Sequence, residues 1–513
     1  MTTQNPLRRV DSGLLLILLI GTAIRLQYVD LPFAEAHRWR FVTNLDVTRN
    51  FAARSMNIFW PQASWGGPAA YLGMEFPLLQ WIAAVLYKVF GDHEILCRFV
   101  TIAFSVATIA VVFMLGKRMF GTAVGRAAAF LVAVSPSMVF FGRTFLSDIP
   151  MVFFMIAGLF GYVVYLETGS RAHAIAGAVC TALAGLVKLP AVAMIGPIAW
   201  AAWRARGWAA LKDRWLTLGI AAGLVVVAAW YWHADRVFHL TGLTEAIFHS
   251  SDNPPPELIP FTNQSALQVI HWGNYALLAQ WDYYDRMRDW TWHLHLTPVG
   301  FSLAVVGLVT MFRVAGYDVV VVWLAAVIST MLASAVGSFY HEFHQLPLVP
   351  PAAMLFGLVA APAFDGEWLR RRFGGWWGVP IAAALVTSLA WMAFIYSGVV
   401  RNYFRPEALD LNTMDVARVV QERTAPVDYL ITVEFGEYGN NSPVLLYRAA
   451  RRGWSFDAKT ISPHVIEYLH TRHHTRYLVT TVDIGSVNPD VARYLRDKKA
   501  IDVGHGATMF QLD

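Results

Sequence analysis

Acidic and basic side chains gather at the ends of the hydrophobic segments of this 513-residue chain. Asp46 lies in a polar loop after the first hydrophobic segment, and Arg143 and Asp148 occupy a short turn between two later ones. Ionisable groups kept together at a membrane surface are costly, so they are functional candidates by default. A carboxylate there could deprotonate an acceptor, and cationic side chains could neutralise a phosphate leaving group. The pattern is typical of a membrane enzyme with a charged, lipid-linked substrate.

The other charged candidates are grouped by what they would bind. Positive side chains are expected to contact the phosphate of the donor: Arg98, Arg143 and Lys188. Acidic side chains are expected to contact the acceptor or to hold a divalent metal: Glu75 and Asp148. A structural interpretation stands beside each role, because Arg and Lys near helix ends often extend towards the interface, and an Arg–Asp pair can anchor a helix end. No cofactor is certain from these residues.

A second cluster, His341, Glu342 and His344, precedes a later hydrophobic segment. Its spacing resembles the His-Glu-x-x-His helix of zinc proteases, but the residue four positions after His341 is Gln345, so the motif is not met. A structural role and a weak metal site both stay open. We favour contacts with phosphate or acceptor at the outer mouth of the next hydrophobic segment.

The composition excludes an ordinary soluble protein. Hydrophobic residues make up 56% of the sequence, charged residues only 15%, and the mean hydropathy is +0.45. The net charge of +5 does not indicate nucleic-acid binding, because Lys and Arg fall in short loops, as in the cytoplasmic loops of membrane proteins. Cys97 and Cys180 lie in or beside apolar segments, so no disulfide framework is expected.

Eleven hydrophobic segments are predicted to cross the membrane, since each approaches the roughly 20 apolar residues that a spanning helix needs. They are 12–29, 98–116, 121–140, 148–166, 172–187, 190–203, 215–232, 297–313, 318–337, 346–363 and 378–397. The segment 76–90 is not counted. It is only 15 residues long and carries Gln80 and Lys88, so it is predicted to lie along the outer surface.

The basic loops orient the chain. Arg8 and Arg9 precede the first segment, which lacks a small-residue cleavage site, so it is expected to stay as a helix with a cytoplasmic N-terminus. Three parts are then predicted outside the cytoplasm: loops 30–98 and 233–296 and the tail 399–513. The aromatic residues of the loop 233–296 either form a belt at the interface or line a sugar or lipid site.

The tail 399–513 changes character and is predicted to be a small soluble α/β domain, because short helices and strands alternate along it. Helices are predicted at 414–424, 463–471 and 489–497. Strands are predicted at 428–433, 444–447, 476–482 and 507–512. No internal repeat is visible in the chain.

The order of these motifs resembles the GT-C glycosyltransferases. The motifs are Asp46; Glu75-Phe76-Pro77-Leu78; Arg98; Ser135-Pro136 with Arg143 and Asp148; and His341 with Pro347 and Pro350-Pro351. The sequence is most similar to bacterial members of the protein O-mannosyltransferase and aminoarabinose transferase superfamily, of the glycosyltransferase family 39 type. The resemblance implies a mainly α, polytopic membrane domain over 1–398 with an extracytoplasmic α/β domain over 399–513. It also implies that Asp46 is catalytic, that Arg98 contacts the carrier phosphate, and that Asp148 is the second outer acidic residue.

The resemblance further implies an inverting glycosyltransferase of the bacterial inner membrane, with its C-terminal domain on the periplasmic or extracellular side. It would move a sugar from a polyprenyl-phosphate donor to a lipid, glycan or protein acceptor on the outer face. The main alternative is a transporter or lipid-carrier flippase, which would place polar residues near the bilayer midplane, often within inverted repeats. A structural or regulatory membrane protein is the third possibility. Val47 and Glu75 depart from the superfamily motifs, so they leave protein glycosylation and lipopolysaccharide modification undecided.

Overall fold

The computed structural model describes residues 11–245, 248–249, 257–258, 275–373, 380, 383–384, 386–387, 402–434 and 440–513. The chain divides into two compact units. The first contains Met1–Val29, Thr101–Val227 and Gly273–Asn402. The second contains Asp30–Val100, Ala228–Trp272 and Tyr403–Asp513. Each unit is therefore assembled from three separate stretches of sequence.

Helices account for most of the described residues. Up to residue 373 the α-helices are α1 (Ser12–Arg25), α2 (Arg38–Ala53), α3 (Leu78–Phe90), α4 (Glu94–Phe120), α5 (Thr122–Val134), α6 (Pro136–Phe140), α7 (Asp148–Thr168), α8 (Arg171–Val187), α9 (Ile195–Arg206), α10 (Arg214–Thr241), α11 (Trp281–Trp290), α12 (Thr297–Thr310), α13 (Tyr317–Ala333), α14 (Ala335–Tyr340), α15 (Val349–Ala360) and α16 (Gly366–Phe373). Short 3₁₀ turns lie at Leu189–Met194, Gly207–Lys212, Tyr275–Ala279, Glu342–Leu348 and Ala361–Phe364, and a π-turn at Thr291–His295.

The tail adds helices α17 (Ala408–Arg423), α18 (Val444–Arg448), α19 (Pro463–His473), α20 (Ile484–Val487) and α21 (Pro489–Leu495). Its strands are β1 (Tyr429–Glu434), β2 (Arg452–Asp457), β3 (Tyr477–Thr480), β4 (Lys499–Gly504) and β5 (Ala507–Gln511). They form one sheet in the order β2-β1-β3-β5-β4. Strand β1 is parallel to β2 and β3, whereas β5 is antiparallel to β3 and β4.

Within the described part of the chain, four helices are long and apolar enough to cross a membrane. They are Glu94–Phe120, Asp148–Thr168, Arg214–Thr241 and Glu342–Trp368. A fifth is reached if the pair Trp281–His295 and Thr297–Thr310, bent by 109°, counts as one span. The predicted segments 98–116, 148–166, 215–232 and 346–363 lie within the four, and 297–313 coincides largely with the second arm of the bent pair.

The other predicted spans within the described residues correspond to short helices, most of them shorter than predicted. Apolar helices of 10 to 17 residues replace the predicted 12–29, 121–140, 172–187 and 318–337, and 190–203 is divided between a 3₁₀ turn and α9. The prediction of eleven continuous spans is therefore too simple, because several segments end early or contain breaks. The predicted span 378–397 lies almost wholly outside the described residues.

The break inside 121–140 has a clear cause. Helix α5 ends at Val134, and α6 begins at Pro136, which has no backbone N–H to donate back into α5. The carbonyls at the end of α5 then need other donors. The buried guanidinium of Arg25 supplies them, donating to the carbonyl of Ala133 at 2.9 Å and to that of Val132 at 3.3 Å. A side chain of α1 thus stabilises the bend.

Helix α3 contains most of the segment 76–90 that was predicted to lie on the surface. It has 13 residues, so it is about 20 Å long, well short of the ~30 Å hydrocarbon core. It belongs to the second unit and packs against α2. One face, with Leu79 and Ala83, is buried, whereas Val89 and Phe90 are exposed. These features suit an interfacial helix, and the membrane placement itself remains a prediction.

In the second unit the tail sheet has an apolar core on each face. Successive side chains of β1 point to opposite faces of the sheet. Leu430 therefore packs in one core, and Ile431 and Val433 pack in the other. Trp65 of the first predicted outer loop packs into the same core as Leu430 and pairs in parallel with Gly453 of β2. Residues of the outer loop thus extend the core of the tail. The predicted boundary between 1–398 and 399–513 remains a prediction about membrane topology.

The small C-terminal α/β element is confirmed, but two details of its prediction are wrong. The segment 444–447 is not a strand but the short helix α18, which follows Pro443 and buries its apolar residues. A short apolar run has too little periodicity to distinguish the two. Strands β2 and β4 were not predicted, because the first mixes polar and apolar residues and the second is largely exposed.

Candidate functional site

In the first unit the structure joins two of the predicted charged residues. The ammonium group of Lys188 donates to Asp148 Oδ1 at 2.8 Å, and both side chains are buried. Asp148 begins α7, and Lys188 follows the last residue of α8. The two helices form a hairpin with a very close approach, since a Cβ at Gly161 would lie 2.8 Å from the backbone of Gly177. This packing places the start of α7 beside the end of α8.

The predicted outer-mouth cluster reaches the same pair. The ring of Phe343 lies 5.2 Å from the Lys188 ammonium, a cation–π distance, and His341 stacks on Phe343 with ring centroids 5.0 Å apart. Glu342 is buried and His344 is half-buried in the same 3₁₀ turn. Asp148, Lys188 and the 341–344 segment therefore form one cluster in the first unit, which we call the Lys188 cluster.

Arg143 is also buried in the first unit, but the contact seen there is structural. Its Nη1 donates to the carbonyl of Tyr28 at 2.7 Å. Tyr28 has a left-handed backbone, with φ of 58°, in the turn after α1. The contact holds that turn against the loop before α7. A donor-phosphate role for Arg143 stays a prediction.

His295 was missed by the sequence reasoning. It ends the π-turn before the bend into α12 and is wholly buried. Its Nδ1 lies 2.8 Å from the hydroxyl of Ser137, and Ser135 donates to its carbonyl at 2.7 Å. Both serines flank Pro136, which the sequence had singled out only as part of a motif. A single π-turn inside a helical segment often marks a functional site, but this turn is visible only in the structure and not in the sequence.

In the second unit, Asp46 lies in the middle of α2 and is fully buried. The backbone N–H of Ser64 donates to its Oδ2 at 2.7 Å, and the Ser64 hydroxyl donates to its Oδ1. Burial raises the pKa of Asp46 to about 6, although the two Ser64 hydrogen bonds and nearby Arg49 and Arg452 act in the opposite direction. Asp46 therefore fastens the loop after α2, while its carboxyl group is poised to titrate close to neutral pH.

Arg98 is paired with an acidic side chain in the second unit. It forms a two-pronged ion pair with Glu35, at 2.8 and 3.0 Å, and both side chains are buried. It also donates to the carbonyl of Leu31 at 2.9 Å and lies 3.7 Å from the ring of Phe33. Arg98 thus orders the segment 31–35. A phosphate would have to displace Glu35, so the geometry favours a structural role, and the predicted phosphate contact stays a prediction.

Glu75 is half-buried and belongs to a carboxylate pair that the sequence did not indicate. Backbone hydrogen bonds from Gly73 to Leu243 and from Glu245 back to Gly73, each 3.0 Å long, bring Glu245 beside it. Burial raises the pKa of Glu245 to about 7; its ion-pair partner Arg40 opposes the rise and Glu75 adds to it. Glu75, Glu245 and Arg40 form the second polar cluster, here called the Glu75 cluster.

The whole fold matches known membrane proteins. ArnT from Cupriavidus metallidurans in the apo state aligns over 97% of both chains with a TM-score of 0.66 and 12% sequence identity. The same protein bound to undecaprenyl phosphate aligns over 97% of this chain and 98% of that one, with a TM-score of 0.66 and 13% identity. The chain has the GT-C glycosyltransferase fold.

A second protein of known structure also has a fold similar to that of this chain. The oligosaccharyltransferase AglB from Archaeoglobus fulgidus, in complex with an inhibitory peptide and a dolichol-phosphate, aligns over 95% of this chain and 72% of that one. The TM-score is 0.54 and the identity 10%. No curated protein sequence matches this chain significantly. The predicted fold class, a polytopic GT-C-like protein with a small C-terminal α/β element, is confirmed.

One family model matches part of the sequence. Residues 74–233 match the family described as dolichyl-phosphate-mannose-protein mannosyltransferase. The matched segment contains Glu75, Arg98, Arg143, Asp148 and Lys188, but it excludes the predicted catalytic residue and the 341–344 segment. These matches support a membrane glycosyltransferase of the GT-C type, as the motif order had indicated.

Proposed function

We propose that this protein is an integral-membrane glycosyltransferase that moves a sugar from a polyprenyl-phosphate carrier to an envelope acceptor on the outer face of the bacterial inner membrane. The observation that carries the proposal is the buried Asp148–Lys188 pair beneath Phe343, within a GT-C fold. The solved structures of two proteins with similar folds contain polyprenyl phosphates: undecaprenyl phosphate in ArnT and a dolichol-phosphate in AglB.

A cavity in the first unit suits the lipid part of such a donor. It has a volume of about 390 Å³ and an almost entirely apolar lining. Tyr283, Met287, Phe301, Leu332 and Leu355 are among the lining residues. Pockets of a few hundred Å³ with mainly hydrophobic and aromatic walls are typical of small-molecule sites. We assign this cavity to isoprene units of the carrier.

Lys188 is proposed to bind the phosphate. A lysine ammonium is a mobile point charge that often contacts phosphate, and Asp148 and the Phe343 ring hold it in place before substrate arrives. When the bond between the sugar C1 and the phosphate oxygen breaks, its electron pair stays on the phosphate. Lys188 stabilises that negative charge, which grows in the transition state.

The acceptor must lose a proton as its oxygen or nitrogen forms the new bond to C1, and in an inverting transfer this happens on the opposite side of the sugar from the leaving phosphate. Two of the acidic residues predicted from the motif order are candidates for taking that proton. Asp46 is proposed because of its position in the motif order and its pKa of about 6, although it is buried against Ser64. Glu75 is more exposed and is the alternative base. With a pKa of about 6, Asp46 would be mostly ionised at pH 7 and able to act as a base.

The proposal is tested with the purified full-length protein and an undecaprenyl-phosphate sugar, by measuring release of undecaprenyl phosphate. Acceptor candidates come from mass spectrometry of envelope lipids, glycans and proteins in a deletion strain, which separates lipopolysaccharide from protein modification. We expect one sugar-modified class to disappear. If no sugar is transferred and the protein in liposomes instead moves a polyprenyl phosphate across the bilayer, the flippase alternative is correct.

The proposed orientation has its own test. A reporter active only in the periplasm, fused after Asp513, should be active, and one active only in the cytoplasm should be silent. The basic residues Arg370, Arg371 and Arg372 are expected to stay in the cytoplasm by the positive-inside rule. The opposite reporter pattern would place the second unit on the cytoplasmic side and remove the outer-face assignment.

A further inference from the structure

Three potential metal ligands that belong to neither of the two polar clusters described above converge in the second unit. Asp235, His239 and His249 each offer one ligand atom, and these atoms all lie within 4.8 Å of one another. His249 Nε2 is 2.9 Å from Asp235 Oδ1, and His239 Nε2 is 3.4 Å from Asp235 Oδ2. The one carboxylate therefore has an imidazole at each of its oxygens.

The local fold explains the convergence. Asp235 and His239 are four residues apart in α10, so they lie on one face of the helix. The helix ends at Thr241, and Gly242, with φ of +74°, reverses the chain. His249 then returns to α10, where its ring stacks on Phe238 with centroids 4.0 Å apart. The stacking fixes the plane of one imidazole and so aims its nitrogen at the carboxylate.

We propose that Asp235, His239 and His249 bind a divalent transition metal, with Zn²⁺ the preferred ion. Two imidazole nitrogens and one carboxylate oxygen are the ligand types of three-residue zinc sites. Ligand atoms at about 2.05 Å from a tetrahedral ion are about 3.3 Å apart, close to the 2.9 and 3.4 Å spacings here. His239 is largely exposed, which leaves room for a water molecule as the fourth ligand.

Such a metal would fasten the segment after α10 to the helix. Without it, the same residues would be two solvent-accessible Asp–His ion pairs, which contribute little and need the histidines protonated. The metal site and the ion pairs can be distinguished by whether the protein binds a metal ion. A metal site binds an ion stoichiometrically and needs all three residues, whereas ion pairs bind none.

The test uses the full-length protein with its affinity tag removed and its metals stripped by a chelator. After re-equilibration with limiting Zn²⁺, elemental analysis should give about one zinc per chain. The double substitution His239→Ala with His249→Ala should lower zinc affinity by at least about 100-fold, and Asp235→Asn by about 10-fold or more. The matched control is His464→Ala, since His464 is an exposed histidine on α19 of the same unit. It should bind zinc like the wild type.

A second measurement protects against variants that misfold. Co²⁺ added to the stripped wild-type protein should give the visible absorption of a four-coordinate site, and Zn²⁺ should abolish it. Zinc should also raise the unfolding temperature of the wild type and of His464→Ala, but not of the double variant. Substoichiometric binding to the wild type, or equal loss in the control, would overturn the proposal. Neither outcome depends on glycosyl transfer.

Discussion

Asp148 and Asp46 are both buried carboxylates at the end of, or within, a helix of their unit, but their partners differ in charge. Asp148 faces the Lys188 ammonium in the first unit, whereas Asp46 accepts two hydrogen bonds from the neutral Ser64 in the second. An ammonium compensates a buried negative charge more fully than a hydroxyl and an amide do. Asp148 is thus suited to hold a cation in place, and Asp46 is suited to gain or lose a proton near pH 6.

The largest effect is expected from Lys188→Ala, which removes the charged partner of the buried carboxylate Asp148. The change removes the proposed phosphate ligand and leaves Asp148 buried without its cation. Transfer should fall by about 100-fold or more. The free energy of unfolding should fall by about 3–5 kcal/mol, because removing one partner of a buried pair leaves an uncompensated charge. Initial rates at several donor concentrations and a thermal-unfolding curve measure the two effects.

The double variant Lys188→Met with Asp148→Leu separates stability from function. It removes both charges, so its stability should recover most of the loss, but transfer should stay low because the phosphate ligand is absent. Recovery of activity together with stability would show that the pair acts only as a structural contact.

Asp46→Asn tests the buried carboxylate whose hydrogen-bond partner, Ser64, is neutral. If Asp46 is the base, transfer should fall by about 100-fold or more, with little change in donor KM. The wild-type rate should increase as pH rises through about 6, because the carboxyl group must lose its proton to act. Glu75→Gln is the matched variant, and a loss confined to it would move the role to Glu75.

Ser64→Ala decides whether Asp46 titrates during catalysis. The Ser64 hydroxyl lowers the pKa of Asp46, so its removal should raise that pKa and shift the acidic limb of the pH–rate profile to higher pH. The plateau at high pH should stay near wild type. A lower unfolding temperature with an unchanged profile would instead show that Asp46 only fastens the loop after α2.

The native-state pKa also predicts how stability depends on pH. Because the pKa of Asp46 is raised from 3.8 in the unfolded chain to about 6, the native state binds the proton more strongly between these values. Its contribution to stability is therefore greatest below pH 4 and is lost as pH rises through about 6. The difference in unfolding free energy between wild type and Asp46→Asn, measured from pH 4 to pH 7, should show this trend. A flat difference would contradict the raised pKa.

Arg98→Lys and Glu35→Gln test the Arg98–Glu35 ion pair with smaller changes. If Arg98 orders the segment 31–35, both variants should destabilise the protein by a similar amount, about 1–3 kcal/mol, because each weakens the same charged hydrogen bonds. Donor KM should then change little. An increase in donor KM in Arg98→Lys alone would support the phosphate contact predicted from the sequence.

Phe343→Leu should give the smallest effect. It keeps an apolar side chain over Lys188 but removes the aromatic face, and a cation–π contact is worth about 0.5–2 kcal/mol. Donor KM should rise about 2- to 30-fold, and the unfolding temperature should fall only slightly, because Leu still fills most of the space of the buried ring. Phe141→Leu is the comparison variant, because it changes a ring that packs against Phe343 and leaves the Phe343 ring beside Lys188 in place.

Some features follow from the sequence because local patterns determine them. Long apolar runs produced α4, α7 and α10, and the Ser135-Pro136 pair that the sequence singled out marks the break between α5 and α6. The apolar strand β1 and the proline-led helix α19 were also predicted, since strand alternation and N-terminal proline act within a few residues. Local sequence patterns also identified the charged candidate residues, but they did not identify the residues that these contact.

Only the tertiary structure decided which charges meet. Asp148 and Lys188 are 40 residues apart, Arg98 and Glu35 are 63 apart, and Arg25 contacts a carbonyl 108 residues away. No periodicity in a single sequence reports contacts at such separations. Helix packing and burial set them, and burial also changes what a group can do. Asp46 was a loop aspartate by its sequence pattern, and its enclosure in α2 against Ser64 gives it a pKa near 6.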